Sequence, residues 1–565
     1  MVDASGTVVA SGQAGRDLGR WNAAYPHVYP LDFSSLHTPG RYSIDVSGPV
    51  TAQSPTFDVA DPSALFSGLA ANSVRYLTTQ RDGPNVAISV LRRQPSHVQD
   101  QRALVYATPS YRRGRLVGRL QRVGGPVNVA GGWMDAGDTL KYAETASFAD
   151  VALLYSLRAD PALPGAQDEA KFGLEWLLSL WRAHPRRLIY QVGLGNGNGR
   201  SILGAHDTTW ALPERDSTLR AAPGTPSHFV KYRPAFRDGP PRAGTSPNLA
   251  GRLAAAYALG AQVFAHRDPA LAARALKAAR TIFASARTRH VGTLVTATPH
   301  AFYPEGEWRD DMELGAAELA LTEHGATRAR YLRQAARWAT AYANSRLNGT
   351  DTFNLYDVAA LAHTELWRAM HDFHVQELGG VSRATLAEDL KGQIGLAQRA
   401  ASRDPFSLGT HYRDDDTVSH ALGLSVEGPL LDGILKTSRY APFAQTQRDF
   451  VLGDNAWGTS FVVGAGSRFP QCLHDPVANL DGSLNGSPPI MVGAVVPGPV
   501  NASDLRGLSL SRGYRPCPVK GGNDLRAFDG FGARYEDNVV ASPTNEPSLD
   551  TAALGLLAFE QAAGK

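Results

Sequence analysis

Residues 1 to about 59 alternate apolar and polar positions: Tyr42, Ile44 and Val46 fall between Ser43, Asp45 and Ser47 after the turn HTPGR, and PTFDV follows VSGPVTAQS. A period of two predicts half-buried strands. An immunoglobulin-like sandwich needs about seven strands in ~100 residues, and this stretch has room for about four. The pattern therefore predicts a small β unit over residues 1–60, incomplete at its N-terminus.

From about residue 63 the period becomes helical. Asp268 is a capping side chain placed before Pro269, whose missing N–H costs nothing in a first turn. Leu271, Ala275, Ala278 and Ile282 then recur on one face, with Arg274 and Lys277 away from it. Phe172, Trp176, Leu177 and Leu180 make a second stripe, and further helices are predicted near 248–265, 313–345, 355–370 and 548–562. Long segments rich in Gly, Pro and Asn, notably 191–247 and 464–545, separate them. Loops beyond about 15 residues in a compact domain are usually functional. Residues 61–565 thus read as a mainly α unit, an all-α barrel or toroid whose loops build one face. Periodicity supports the helices and not their circular order, and no short repeat demands a solenoid.

Length and composition are consistent with this reading. The 565 residues exceed one ordinary core, and 43% apolar with 19% charged side chains is the composition of a folded chain. The 56 basic and 53 acidic side chains nearly cancel to +3. No long block of one sign could track a phosphate backbone or an anionic membrane, and no run of about 18 apolar residues could span a bilayer. Nucleic acid and membrane are therefore not expected as partners, and a monomer is. Cys472 and Cys517 are the only cysteines, too few for a cysteine-rich zinc site. They leave two readings, one disulfide or two reduced thiols.

The densest candidate chemistry is GGWMDAGDTLKY at 131–142, which sets Asp135 and Asp138 three residues apart among glycines and aromatics. Two such carboxylates can share a water, one taking its proton while the other holds it in line. A plain Asp-rich turn would look the same. Near the C-terminus, YEDNVVASPTNEPSLDTAALGLLAFE places Glu546 at a junction of loop and helix, where an acid also complements a helix N-terminus.

These blocks resemble glycoside hydrolase family 9, the inverting β-1,4-glucanases, in the version with an N-terminal immunoglobulin-like domain. GRYSIDVSG and PTFDV lie in the leading unit, and TTQRDG, GGWMDAGDTLKY, QVG at 191–193, HDTTWALPE at 206–214 and FYPEGEWRDDMELGAAELAL follow in the family's order. The resemblance implies an (α/α)6 barrel of six inner and six outer helices with an open groove. It also implies Asp138 as general base, Asp135 as the residue holding the water and Glu546 as general acid. Asp537 matches the C-terminal block on the substrate side, where it orients the loop rather than performing chemistry. No cofactor is required. Structural calcium, which some relatives carry, has no specific motif here: RDDD at 413–416 reads as a solvated charge run. GLGNGNG at 193–199 lacks the Lys-Ser/Thr ending of a phosphate loop and reads as an ordinary loop. Secretion is the family's habit, although the opening MVDASGTVVASG lacks the regions of a signal peptide.

The chain departs from the family's pattern at three named positions. His474 matches the histidine block, but Pro476 stands where an arginine is expected, Ser542 replaces an aromatic and Ala552 an asparagine. His474 is therefore expected as a substrate contact, with Trp210 and Trp308 as stacking platforms, Tyr142 beside them and Trp133 as a buttress of the aspartate loop. The insert ANLDGSLNGSPPIMVGAVVPGPV is expected to wall one end of the groove. Hydrolysis of β-1,4-glucan or its oligosaccharides is the leading expectation. An exo-acting β-glucosidase or exo-β-glucosaminidase on short oligosaccharides stands beside it, and a non-catalytic carbohydrate-binding protein on a degenerate hydrolase fold is the alternative of another class.

Overall fold

The computed structural model describes residues 1–197, 210–223, 225, 227–412, 416–510, 512–518 and 525–564. In the leading unit, Gly40–Ser43 pairs antiparallel with both Val2–Asp3 and Phe57–Val59, and Asp45–Val46 pairs with Ala52–Gln53. Tyr42 is buried, Ile44 and Val46 are half-buried, and Asp45 and Ser47 are exposed, as alternation requires; Ser43 is buried as well.

Twelve long helices follow among the described residues: α1 (Pro62–Thr79), α2 (Ala143–Ala159), α3 (Ala166–Leu180), α4 (Pro247–Val263), α5 (Pro269–Ala284) and α6 (Arg309–Thr322). The remainder are α7 (Gly325–Ala343), α8 (Ala359–Asp372), α9 (Arg383–Ala401), α10 (Thr417–Leu435), α11 (Ala441–Leu452) and α12 (Leu549–Ala562). The even-numbered helices close a ring, α2 on α4, α4 on α6, α6 on α8, α8 on α10, α10 on α12 and α12 back on α2. The odd-numbered helices pack outside them. This is an (α/α)6 barrel preceded by an immunoglobulin-like unit.

Helix boundaries follow local chemistry. Asp268 accepts from Leu271 N–H (3.0 Å) at the start of α5, and the stripe Leu271, Ala275, Ala278, Ile282 is buried. Ser548 caps α12 by accepting from Thr551 N–H at 3.3 Å. The single helix expected over 313–345 is two, α6 and α7, broken at Glu323 and His324. Inner helices approach through small residues: an added Cβ on Gly251 of α4 would lie 2.4 Å from the Asp311 carbonyl, and one on Gly315 of α6 would lie 2.5 Å from Gly251 O.

Two buried charge networks tie the barrel to its loop face. Arg252 on α4 reaches Glu144 (2.8 Å), Glu305 (2.7 Å) and Asp311 (2.8 Å). Lys141 and Arg233 share Asp82 and Asp100 at 2.5–3.1 Å. Removing one partner from such a network strands a buried charge, at a cost of about 3–5 kcal/mol. A mixed sheet in the order 141–142, 187–192, 235–237, 103–106, 122–127 lies among these loops and has no counterpart in the sequence reading.

Candidate active site

The aspartate loop is held from below before it carries any chemistry. Asp82 N–H donates to Gly132 O (2.8 Å), Met134 N–H to Gln80 O (2.8 Å) and Lys141 Nζ to Gly131 O (2.7 Å). Trp133 is fully buried, its indole N–H bonded to Glu169 Oε1 at 2.6 Å, so it buttresses the loop. Asp135 N–H reaches across to Leu140 O (3.0 Å), and Leu140 N–H donates to Asp138 Oδ1 (2.7 Å). The turn between the two aspartates is thereby closed.

Asp135 is 2% exposed, and each of its oxygens takes a hydroxyl: Thr145 donates to Oδ1 and Tyr303 to Oδ2. Burial raises its pKa from 3.8 to about 7, against the pull of those two hydrogen bonds. Asp550, in the first turn of α12, is also buried and shifted upward by burial, and its charge adds to the upward push on Asp135.

Gly137, between the aspartates, has φ +56°, and a Cβ there would lie 2.2 Å from His474 O, 2.9 Å from Glu546 Cγ and 3.2 Å from Glu546 Oε1. Only glycine permits this approach. The backbones of the two segments also meet, Ala136 bridging to Ser548. The carboxyl group from the end of the chain thus lies against the loop that carries Asp135 and Asp138.

The Glu546 segment is itself fixed. Asn545 O accepts from His474 N–H (2.9 Å), while its side chain donates to Cys472 O (3.2 Å) and Asp537 Oδ1 (3.0 Å) and accepts from Tyr535 OH (3.0 Å). Asp537 also accepts from the N–H groups of Gln471 (3.0 Å) and Cys472 (2.9 Å). That spends its carboxylate on the loop, so it positions the neighbouring residues from behind. His474 Nδ1 donates to Val539 O at 2.7 Å, which leaves Nε2 as an acceptor, and burial lowers its pKa, favouring the neutral ring. Cys472 and Cys517 are bonded, with Cα atoms 5.3 Å apart. Pro476 opens the short helix Pro476–Asp481, whose cap Asp475 accepts from Ala478 N–H at 2.7 Å.

The expected sugar platforms separate. Trp210 meets the His474 ring edge-on at 5.1 Å and donates to Asn479 Oδ1 at 3.2 Å, at the site's margin. Trp308 instead packs edge-on against Trp338 at 5.2 Å under Arg309, within the core. Tyr142 is buried with its ring 5.4 Å from Tyr303, supporting that tyrosine. Tyr303, Thr145, Asp550, Asn545 and Gly137 were not singled out from sequence, although Tyr303 lies inside FYPEGEW and Asn545 immediately precedes Glu546. Residues 206–209 of HDTTWALPE, 198–199 of GLGNGNG and 413–415 of RDDD lie outside the described residues. Among the described residues no group of three or more His, Cys, Asp or Glu side chains could hold a metal ion.

A barrel of paired helices that brings carboxyl groups together on its loop face has the proton donors and acceptors that glycosidic bond cleavage needs. Residues 66–559 match the model of glycosyl hydrolase family 9, and residues 1–50 match that of the cellulase N-terminal ig-like domain. The chain belongs to glycosyl hydrolase family 9 and is a cellulase-type glycosidase. It is 24% identical over 413 residues to Endoglucanase 3 of Oryza sativa subsp. japonica, covering 66% of this chain and 77% of that one. With Endoglucanase 10 of Arabidopsis thaliana it shares 25% over 417 residues, covering 66% and 73%. In structure it is similar to the GH family 9 endoglucanase J30, with TM-score 0.72, 22% identity and coverage of 100% and 95%. A similar likeness, TM-score 0.69 at 20% identity with coverage of 100% and 93%, holds for a Bacteroides ovatus GH9 protein.

Proposed function

We propose that this glycosidase hydrolyses β-1,4-linked glucan or its oligosaccharides with inversion at the anomeric carbon. Asp138 takes a proton from water as that water attacks C1, Asp135 holds the water in line, and Glu546 gives its proton to the departing glycosidic oxygen. One C–O bond forms and one breaks, and the product sugar carries the opposite anomeric configuration. An inverting site separates its acid and base by about 6.5–9.5 Å to admit that water. The reading rests on one observation, the contact of Glu546 with Gly137 between the two aspartates. Asp138→Asn and Glu546→Gln should each lower turnover by about 10²–10⁴ with the fold intact, and proton NMR of a fresh digest should detect the inverted anomer first. Folded variants turning over at the parent rate would remove the assignment.

A narrower, exo-acting enzyme on short β-glucosides or glucosamine oligomers is the second reading. It is favoured by the crosslinked wall beside His474: Trp210 bonds to Asn479, Arg515 bonds to the carbonyls of Asn479 (3.0 Å) and Gly482 (2.8 Å), and Cys517 bonds to Cys472. Products from labelled oligosaccharides of graded length separate the two, because random internal cuts exclude exo action. Residues 1–60 and 61–565 are proposed as the two domains of a monomer. Extracellular action is proposed with them, supported by the disulfide.

A further inference from the structure

The leading unit reaches the proposed acid through a continuous set of contacts. Trp21, at 4% exposure, sits among four rings of the barrel: it stacks on Phe531 (5.2 Å) and meets Phe406 (5.1 Å), Tyr412 (5.5 Å) and Trp457 (5.7 Å) edge-on. Its indole N–H donates to Phe528 O at 2.7 Å, and Asn22 donates to Asp529 O at 2.8 Å. The fit is close, since a Cβ on Gly530 would lie 2.5 Å from the indole. Asp529 then accepts from Trp457 Nε1 (3.2 Å) and from Arg534 Nε (3.0 Å), at the start of the segment 533–537. From that segment Tyr535 donates to Asn545, Thr544 donates back to Glu536 O (2.8 Å), and Asp537 accepts from Asn545. Glu546 is the next residue.

We infer that Trp21 and Asn22 form a latch by which the N-terminal unit positions Glu546 for proton donation. The inference rests on the reading of Glu546 as general acid. Trp21 touches neither the aspartates nor Glu546, so it is a positioning residue that acts through the 528–537 segment. A buried aromatic anchor of this kind dominates the contact it belongs to. A displacement of about 1 Å at a catalytic group can cost up to about 10²-fold in rate. Removing the latch should therefore weaken acid assistance while leaving the water-activating side in place.

The experiment uses the full-length protein and a series of aryl β-cellobiosides whose phenol leaving groups run from strongly to weakly acidic. A dinitrophenolate departs without a donated proton, whereas a weakly acidic phenol needs one. Trp21→Phe, which keeps the ring packing and loses the N–H, and Asn22→Ala, which removes the second tie, are compared with Trp21→Ala. Melting temperatures establish that the variants are folded. The expected result is a kcat loss of about tenfold on the weakly acidic phenol and less than about twofold on the dinitrophenyl substrate, with KM little changed. A loss equal on both substrates, or no loss in any folded variant, overturns the latch. Glu546→Gln is the control: if it lacks the leaving-group dependence, the acid assignment itself fails. If it has that dependence and the Trp21 and Asn22 variants do not, only the latch fails.

Discussion

Tyr303 donates its phenol hydrogen bond to Asp135, although 168 residues separate them in the chain. The tyrosine is brought there by Arg252, which holds the neighbouring Glu305 at 2.7 Å and Glu144 of α2 at 2.8 Å. The bond favours the ionised carboxylate, while burial favours the protonated acid and brings its pKa to about 7. Tyr303→Phe deletes one of the two hydroxyl donors, so the pKa must rise further. In a pH profile of kcat/KM, the acidic limb is expected to move to higher pH by up to about one unit. A profile superimposable on the parent's would show that Asp135 does not need to be ionised for turnover.

The same elevated pKa links stability to pH. Below 3.8 the Asp135 carboxyl is protonated in both folded and unfolded chains, and its contribution is fully present. Between 3.8 and about 7 the unfolded chain releases the proton and the folded chain keeps it, so stability falls as pH rises through that window. The gap, at about 1.4 kcal/mol per pH unit, sets an upper limit of about 4 kcal/mol. Asp135→Asn should therefore flatten the decline in unfolding free energy between pH 4 and about 8. Equal slopes for parent and variant would place the titration elsewhere.

How much was legible from sequence depended on whether a residue's role was local. Asp268 with Pro269 and the stripe Leu271 to Ile282 define α5 because cap and amphipathic face lie within sixteen residues of helix. By contrast α2 and α10 are buried on nearly every side, so no polar face marks their period. α10 also contains Pro429, which argues against a helix from sequence alone. At the site, Asp135, Asp138 and Glu546 could be singled out by residue type and order. The hydroxyls on Asp135 and the closeness required at Gly137 arise from contacts between distant segments. Trp210 and Trp308 are equally buried at 8%, yet one borders His474 and the other fills the core against Trp338. Composition gives no means of telling such tryptophans apart.

The bridge between Cys472 and Cys517 spans 45 residues and includes His474 and the capped helix 476–481. Loop-closure entropy for that length corresponds to about 4 kcal/mol, with about 2–4 kcal/mol typical once native strain is included. Cys472→Ser together with Cys517→Ser is expected to lower unfolding free energy by about that amount. Activity should fall more than at a remote site, because Cys472 O and Asp537 jointly hold Asn545. Denaturant titration in parallel with kcat/KM tests both parts. Unchanged kinetics in the folded double variant would mean that the crosslink supports only the wall and not His474.

Gly137→Ala is the sharpest probe of the site itself. The residue has φ +56°, which costs a β-carbon-bearing residue about 1–2 kcal/mol. The added methyl would also lie 2.2 Å from His474 O and 2.9 Å from Glu546 Cγ, distances at which backbone or side chain must move. The loop below is pinned through Trp133, Lys141 and Asp82, so the displacement falls on the facing segments, where the His474 N–H is bonded to Asn545 O, the residue before Glu546. The variant should lose about 1–3 kcal/mol of stability and lose turnover by considerably more than that destabilisation explains, about 10²-fold or greater. Its crystal structure should place the Glu546 carboxyl farther from the aspartate loop than in the parent. If the variant is destabilised as stated yet retains parental kcat, the close approach of Glu546 to Gly137 is a packing feature only, and proton donation has to be assigned to another acid.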